Sequence, residues 1–280
     1  MEFTKVVDGV DFGEGPRWHD GLFWYSDFYQ HAIYTVDDDG NRAKVIDMGE
    51  RQPSGLGWLP NSDLLIVSML DQQLVRWDGS TLHDYADLSA FATGKCNDMV
   101  VSATGHAYVG NFGFDLEGGG EPASTRLIHV TPEGDVAPVD GELLFPNGAV
   151  ITPDGSTLIV GETFGGSYKA FTIGADGSLS DMRTFADVPG MAPDGCTLDA
   201  EGGIWFSDAM TPRVVRVIEG GEITHEAPTP QSTFACALGG DDGRTLYVLT
   251  APGSHPDEVA GVGGGAVWTA RVDTPGAGLP

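Results

Sequence analysis

Positive charge is scarce in this sequence. Lys and Arg number 14 against 41 Asp and Glu, a formal net charge of −27 over 280 residues. Only four of the basic residues are Lys (Lys5, Lys44, Lys95 and Lys169), and no two basic residues are adjacent. A row of phosphates or an anionic membrane finds nothing here to neutralise it, which argues against nucleic-acid and membrane partners. The acidity itself reads as a solvated, self-repelling surface that favours solubility.

Cysteine is rare as well. Cys96, Cys196 and Cys236 are odd in number, widely separated and form no C-x-x-C pair. Buried free thiols are expected, and neither a disulfide framework nor a thiolate zinc site. Long apolar runs are also missing. The longest, Leu64 to Leu70, is interrupted by Ser68 and falls far short of the roughly 18 to 20 residues of a membrane helix. The opening segment MEFTKVVDGVDFGEGP has no basic stretch leading into an apolar one, so it does not read as a secretory signal. A cytoplasmic, soluble protein is expected. G-x-S-x-G, P-loop and dinucleotide fingerprints are absent, and the histidines lack H-x-x-x-H spacing, which lowers serine-hydrolase, nucleotide and imidazole-zinc chemistry.

What the chain has in abundance is Gly (41) and Pro (17), with 41% hydrophobic residues, enough for a sizeable core built of turns and short strands. It also has an internal repeat. GEGPRW at Glu14, PSGLGW at Ser54, CNDMVV at Asn97, PNGAVI at Asn147, PDGCTL at Asp194 and FACALG near Ala235 recur at intervals of 40, 43, 50, 47 and about 41 residues. After each comes a turn and a β-rich run such as Leu22-Phe23-Trp24-Tyr25 or Leu158-Ile159-Val160. No segment keeps a helical period over three turns. The spacing is that of propeller blades. The expected fold is all-β, a six-bladed β-propeller of four-stranded antiparallel blades in a single domain over residues 1–280, with blades starting near 14, 54, 97, 147, 194 and 235. The segment Phe3 to Val7 is expected to complete the last blade.

Radial repetition brings equivalent positions together around the axis. Glu14, Asn97, Asn147 and Asp194 then converge as two carboxylates and two carboxamides, hard oxygen donors of the kind Ca2+ or Mg2+ takes. The other reading is a set of polar residues hydrogen-bonded to the blade entries. Because the second strand of each blade returns to the face where the first begins, insertions after it overhang the channel mouth. Two are long, Phe112 to Ser124 and Pro252 to Gly265. Asp115 in the first and Lys95, two residues before Asn97, are the polar groups expected to touch a ligand. Glu162 and Asp208, at the ends of second strands, are reserve proton-transfer groups whose simpler role is to hydrogen-bond the rim.

The segments GEGPRW, CNDMVVSATGHAYVGN, PNGAVITPDGSTLIVGET and PDGCTLDAEGGIWFSDA, in that order over nearly the whole chain, resemble the SMP-30/gluconolactonase/regucalcin-like family. The resemblance implies one divalent cation held by Glu14, Asn147 and Asp194. It also implies substrate binding by Asn97 and an acid/base role for Asp194. Ca2+ is favoured, with Mg2+, Mn2+, Fe2+ or Zn2+ as alternatives. Where members acting on sugar lactones carry an Arg, this chain has Lys95, which keeps the charge and loses the planar donor fork. The expected activity is metal-dependent opening of a lactone or related cyclic ester, with a small molecule as partner. The alternatives are phosphotriester-type hydrolysis or a lyase or isomerase step on the same centre, or a non-catalytic cation-binding propeller.

Overall fold

The computed structural model describes residues Met1 to Pro280. A strand β1 (Thr4–Val10) precedes the repeat. Blade 1 comprises β2 (Gly13–His19), β3 (Leu22–Asp27), β4 (Ala32–Val36) and β5 (Arg42–Asp47). Blade 2 comprises β6 (Pro53–Trp58), β7 (Leu64–Ser68), β8 (Gln73–Trp77) and β9 (Leu82–Asp87). Blade 3 comprises β10 (Cys96–Val101), β11 (Ala107–Asn111), β12 (Ile128–Val130) and β13 (Val136–Pro138). Blade 4 is β14 (Pro146–Ile151), β15 (Thr157–Glu162), β16 (Ser167–Ile173) and β17 (Leu179–Asp187), and blade 5 is β18 (Pro193–Leu198), β19 (Ile204–Asp208), β20 (Arg213–Val217) and β21 (Ile223–Pro228). The last blade takes β22 (Ser232–Gly239), β23 (Thr245–Ala251), then a single turn α1 (Pro256–Val259) and β24 (Gly265–Arg271).

The chain forms six four-stranded antiparallel sheets. Five are filled in chain order. The sixth runs β22, β23, β24 and then β1, so a strand from the start of the chain supplies its outer edge. Thr4 faces Thr269 and Val10 faces Gly265 in that pairing. The expected ring-closing segment is therefore a strand, three residues longer at its end than Phe3 to Val7.

Position within the blade dictates composition. The second strand is covered on both faces by neighbouring blades, so β7 and β23 read as unbroken apolar runs and are buried almost throughout. The outer strand faces water on one side, and in β5 and β21 half of the residues are charged or polar and only one in each is buried. Between blades the core is sheet against sheet. Leu65, Val67, Met99 and Val109 fill the space between blades 2 and 3, and Val150, Ile159, Cys196 and Phe206 that between blades 4 and 5. Cys96, Cys196 and Cys236 are buried and unpaired.

Every inner strand carries one extra residue near its start. Register shifts fall between Glu14 and Arg17, Pro53 and Leu56, Cys96 and Met99, Pro146 and Ala149, Pro193 and Cys196, and Thr233 and Ala235. Such bulges bend a strand and re-aim its side chains, and here they do so at the hub. They also permit a very close approach. A Cβ on Gly55 would lie 2.5 Å from the Met99 nitrogen of blade 3, and one on Gly148 2.5 Å from the Asp194 carbonyl oxygen of blade 5. Only Gly lets these inner strands pack backbone to backbone. The same register corrects the sixth anchor. Ser232 pairs with Ala251 as Pro193 pairs with Asp208, so Thr233, not Ala235, occupies the position of Asp194.

At the far ends of the inner strands, the C-terminal tail is laid across blades 5 and 4. Ala277 donates to the Leu198 carbonyl at 2.9 Å, and Leu279 and Ile151 exchange hydrogen bonds of 2.9 and 2.7 Å.

Candidate active site

Glu14, Asn97, Asn147 and Asp194 are the second residues of their inner strands, set at the bulges, and all four are buried. They line one cavity of about 660 Å³ at the hub. A directional chain of hydrogen bonds fixes the two carboxamides. Ser54 Oγ donates to Asn97 Oδ1 (3.0 Å), Asn97 Nδ2 to Asn147 Oδ1 (3.1 Å), and Asn147 Nδ2 to Thr163 Oγ1 (3.1 Å). Thr163 Oγ1 donates in turn to the Pro193 carbonyl at 2.7 Å, which anchors the chain to the strand bearing Asp194. Glu14 does not join it, and Asp194 meets it only through the Asn147 amide, which offsets part of the burial-driven rise in its pKa. Glu14 Oε2 accepts only a long bond from the Gly15 nitrogen (3.3 Å), and Asp194 Oδ1 is buried without any hydrogen-bond partner.

Unscreened acids in one cavity oppose each other's ionisation. Burial pushes the Glu14 carboxyl well above the usual carboxylate range, and the charges of Asp194 and Asp98 push the same way. Asp194 is raised chiefly by burial too, with Asp98 and Asp208 adding to it. The donor set, two carboxylates with the amide oxygen of Asn147, consists of hard oxygens, and the orphaned Asp194 Oδ1 is an acceptor seeking a charge or proton. Those features fit a hard divalent cation. No cluster of three or more His, Cys, Asp or Glu side chains is placed to hold a metal, and the hub itself offers two such side chains together with the Asn147 amide.

The blade repeat also builds the cavity wall. Residues two positions before the anchors contribute Phe12, Gln52, Phe145 and Ala192, and residues just past the second strands contribute Phe28, Met69, Phe112, Thr163 and Ala209. The long loops complete it through Leu116 and Glu117 on one side and Ser254 and His255 on the other. Both insertions therefore overhang the mouth as expected.

Comparison with known proteins places this architecture. Residues 12–252 match the family described as "SMP-30/Gluconolactonase/LRE-like region". The chain belongs to that family. It is 27% identical over 308 aligned positions to pentonolactonase XacC of Haloferax volcanii, covering 100% of this chain and 97% of that one. A 6-deoxy-6-sulfogluconolactonase of Pseudomonas putida is 28% identical over 162 residues, 55% of each chain. Among solved structures, a luciferin-regenerating enzyme superposes with a TM-score of 0.83 at 18% identity, covering 99% of this chain and 98% of that one. Regucalcin of Agrobacterium tumefaciens, a calcium-binding protein, superposes with a TM-score of 0.82 at 22% identity, covering 99% and 97%.

Within this SMP-30/gluconolactonase propeller, Lys95 and Asp115 lie apart from the four hub residues. Of the six positions two before the anchors, Lys95 and Gln231 do not line the cavity. The Lys95 Nζ turns outward to Glu117 Oε1 at 2.6 Å and lines a smaller adjoining pocket of about 250 Å³ that also contains Asp115. Asp115 closes its own turn, accepting from the Gly118 nitrogen through Oδ1 (2.9 Å) and from the Gly120 nitrogen through its carbonyl (2.7 Å). Glu162 and Asp208 are consumed structurally. Glu162 accepts from the Leu144 nitrogen and Ser167 Oγ, and Asp208 from the Ala192 and Met210 nitrogens and the Arg213 guanidinium.

Arg17, Asp98, Gln52 and His255 also lie near the hub, and the anchor motifs do not single them out. Arg17, in the first anchor, is buried and spans three blades. Its Nε donates to the Leu56 carbonyl, and its Nη2 donates to Asp98 Oδ1 (2.8 Å) and the Met99 carbonyl (2.6 Å). A pairing 81 residues apart leaves no local trace. Gln52, whose Oε1 is buried and unpartnered, could have been found by repeat register, since it stands before Ser54 as Lys95 stands before Asn97. His255 belongs to an irregular loop that no periodicity reaches.

Proposed function

We propose that this protein is a divalent-cation-dependent hydrolase that opens a lactone or related cyclic ester. The observation that supports this most is the orphaned Asp194 Oδ1 sharing the floor of the hub cavity with a second buried acid, Glu14. The names of the two relatives, both lactonases, point the same way. Glu14, Asn147 and Asp194 would hold the cation, Ca2+ by preference. When bound, it supplies a fixed positive charge that polarises a carbonyl and stabilises the oxyanion formed on attack.

The chain's own residues do the rest. Asn97, locked by Ser54 and Asn147, orients the substrate at the floor. Asp194 takes a proton from the attacking water as its oxygen bonds to the carbonyl carbon. It returns that proton to the ring oxygen as the old ester bond breaks, leaving a hydroxy acid. Apolar walls keep bulk water from the exchange. Lys95 and Asp115 act from outside the wall as positioning residues, Lys95 by holding Glu117 and Asp115 by closing the turn that carries it.

A screen of five- and six-membered lactones against aryl phosphotriesters, with and without chelator, tests the reading. Lactone turnover should vanish with chelator and return with added cation. Asp194→Asn should lower kcat by at least about 100-fold, the usual scale for a lost acid/base group. Turnover of phosphotriesters alone would assign the centre to phosphoester chemistry. Cation binding without turnover of lactones or phosphotriesters would make it a binding propeller, or leave it to a lyase or isomerase step. Full turnover by Asp194→Asn would remove the base assignment.

A further inference from the structure

The cavity's walls carry more information than its floor. Phe12 and Phe234 meet at 4.7 Å between ring centroids and Phe12 and Phe28 at 5.1 Å, forming one aromatic wall on blades 6 and 1. Phe112 and Phe145 stack at 4.5 Å, with Phe164 5.3 Å from Phe145, forming a second wall on blades 3 and 4. In a ring of six blades these stand on opposite sides of the axis. At the mouth, Phe164, Leu116 and Met210 are 46%, 42% and 73% exposed, three of the few large apolar side chains left open to solvent anywhere on the molecule.

Fixed positive charge is absent from this wall. The charged side chains lining it are Glu14, Glu117 and Asp194, and the nearby Lys95 is turned away and neutralised by Glu117. Each carboxamide at the floor spends no more than one acceptor site and one N–H on the hydrogen-bond chain that starts at Ser54, and Thr163, Ser254 and His255 are further neutral polar side chains of the lining in addition to Gln52. Gln52 Oε1 is left as an unspent acceptor on a buried side chain.

We infer that the natural substrate is an uncharged cyclic ester bearing an aromatic or branched alkyl substituent, held between the two phenylalanine walls, with no more than a hydroxyl or two. This rests on the lactonase reading and names the class of lactone. A polyhydroxylated sugar ring would press several hydroxyls against Phe without partners, at a cost of about fivefold or more each. An anionic substituent would find no unpaired cationic side chain in the wall to receive it. An apolar substituent gains about fourfold per methylene buried.

The test compares kcat/KM for γ-butyrolactone, its γ-alkyl homologues up to γ-nonalactone, γ-phenyl-γ-butyrolactone and glucono-1,5-lactone. Calorimetric binding of the matching non-hydrolysable γ-lactams is measured in parallel. The expected result is a rise of about fourfold per added carbon until the cavity is full, with the phenyl compound at least about 100-fold above the sugar lactone. Phe164→Ala and Met210→Ala, exposed positions whose loss leaves the core intact, should flatten that rise in both turnover and lactam binding. A preference for glucono-1,5-lactone, or no gain along the alkyl series, overturns the inference and leaves the lactonase reading in place. Lactams that bind more tightly with chain length while no lactone is turned over would sustain the occupant and remove the reaction. Absence of both binding and turnover overturns both.

Discussion

Arg17 and Asp98 tie blade 1 to blade 3 directly behind the candidate site, and removing one of them is the most telling perturbation of the hub. Their side chains are only 2% and 3% exposed, 2.8 Å apart. Asp98 Oδ1 also accepts from the Met99 nitrogen at 2.8 Å. Asp98→Ala leaves the guanidinium with its carbonyl partners on Pro16, Leu56 and Met99 and with no counter-charge in contact. Breaking a buried pair from one side costs about 3–5 kcal/mol, because the surviving charge is desolvated and uncompensated. With an unfolding entropy of roughly 2.1 cal/mol/K per residue, 280 residues give about 0.6 kcal/mol/K, so Tm should fall by roughly 5–8 °C. Asp98→Asn keeps an acceptor for Arg17 and should lose less. Replacing both partners by apolar residues of similar size should recover at least half of the loss, since the pair's own desolvation is then avoided. Differential scanning calorimetry on the three variants measures this. A fall under about 2 °C for Asp98→Ala would show that the pair does not clamp the hub and that its burial is incidental.

Two further predictions follow from the same geometry. Glu14 and Asp194 have raised pKa values, so without a cation their contribution favours the fold at low pH and is lost as pH rises through those values, whereas a bound dication requires the ionised forms. The Tm gap between cation-loaded and chelator-treated protein should therefore widen from pH 5 to pH 8, and an equal gap at both would refute the site. Asp11 holds the Pro252 to Gly265 loop through Oδ2 and Oδ1, which accept from the Gly261 (2.8 Å) and Gly263 (2.7 Å) nitrogens. Bonds to a carboxylate are worth about 1.5–3 kcal/mol each, so Asp11→Ala should speed amide exchange in that loop by roughly tenfold or more. Unchanged protection by exchange mass spectrometry would mean the loop is held by its apolar contacts.

Much of this architecture can be read from the chain because a propeller writes its geometry as a repeat. The interval between anchors locates the inner strands, and radial closure then brings Glu14, Asn97, Asn147 and Asp194 to one cavity although they are spread over 180 residues. The overhang of the two long insertions follows from strand direction alone. Side-chain direction does not. Lys95 sits at a wall position by register, yet Glu117, 22 residues later in an irregular loop, draws it out of the cavity. FACALG reads as the start of the sixth repeat because Phe234 stands where four other blades have Gly, which disguises the bulge at Thr233. The Arg17–Asp98 clamp is hidden for a third reason: Asp98 stands where four blades have Gly and Arg17 where blades 2 to 5 have Gly, Val or Thr, but only packing shows that these two departures meet.

The way the sixth sheet is finished governs how the whole wheel is assembled and undone. Thr4 hydrogen-bonds beside Thr269, so the clasp spans almost the entire polymer and its entropy of closure falls due only when every intervening blade stands ready. Such a ring should fold slowly, with its clasp snapping shut last. Once fastened it offers no loose end blade, and loss of the native state must begin by unzipping one short edge strand whose neighbours all resist being parted.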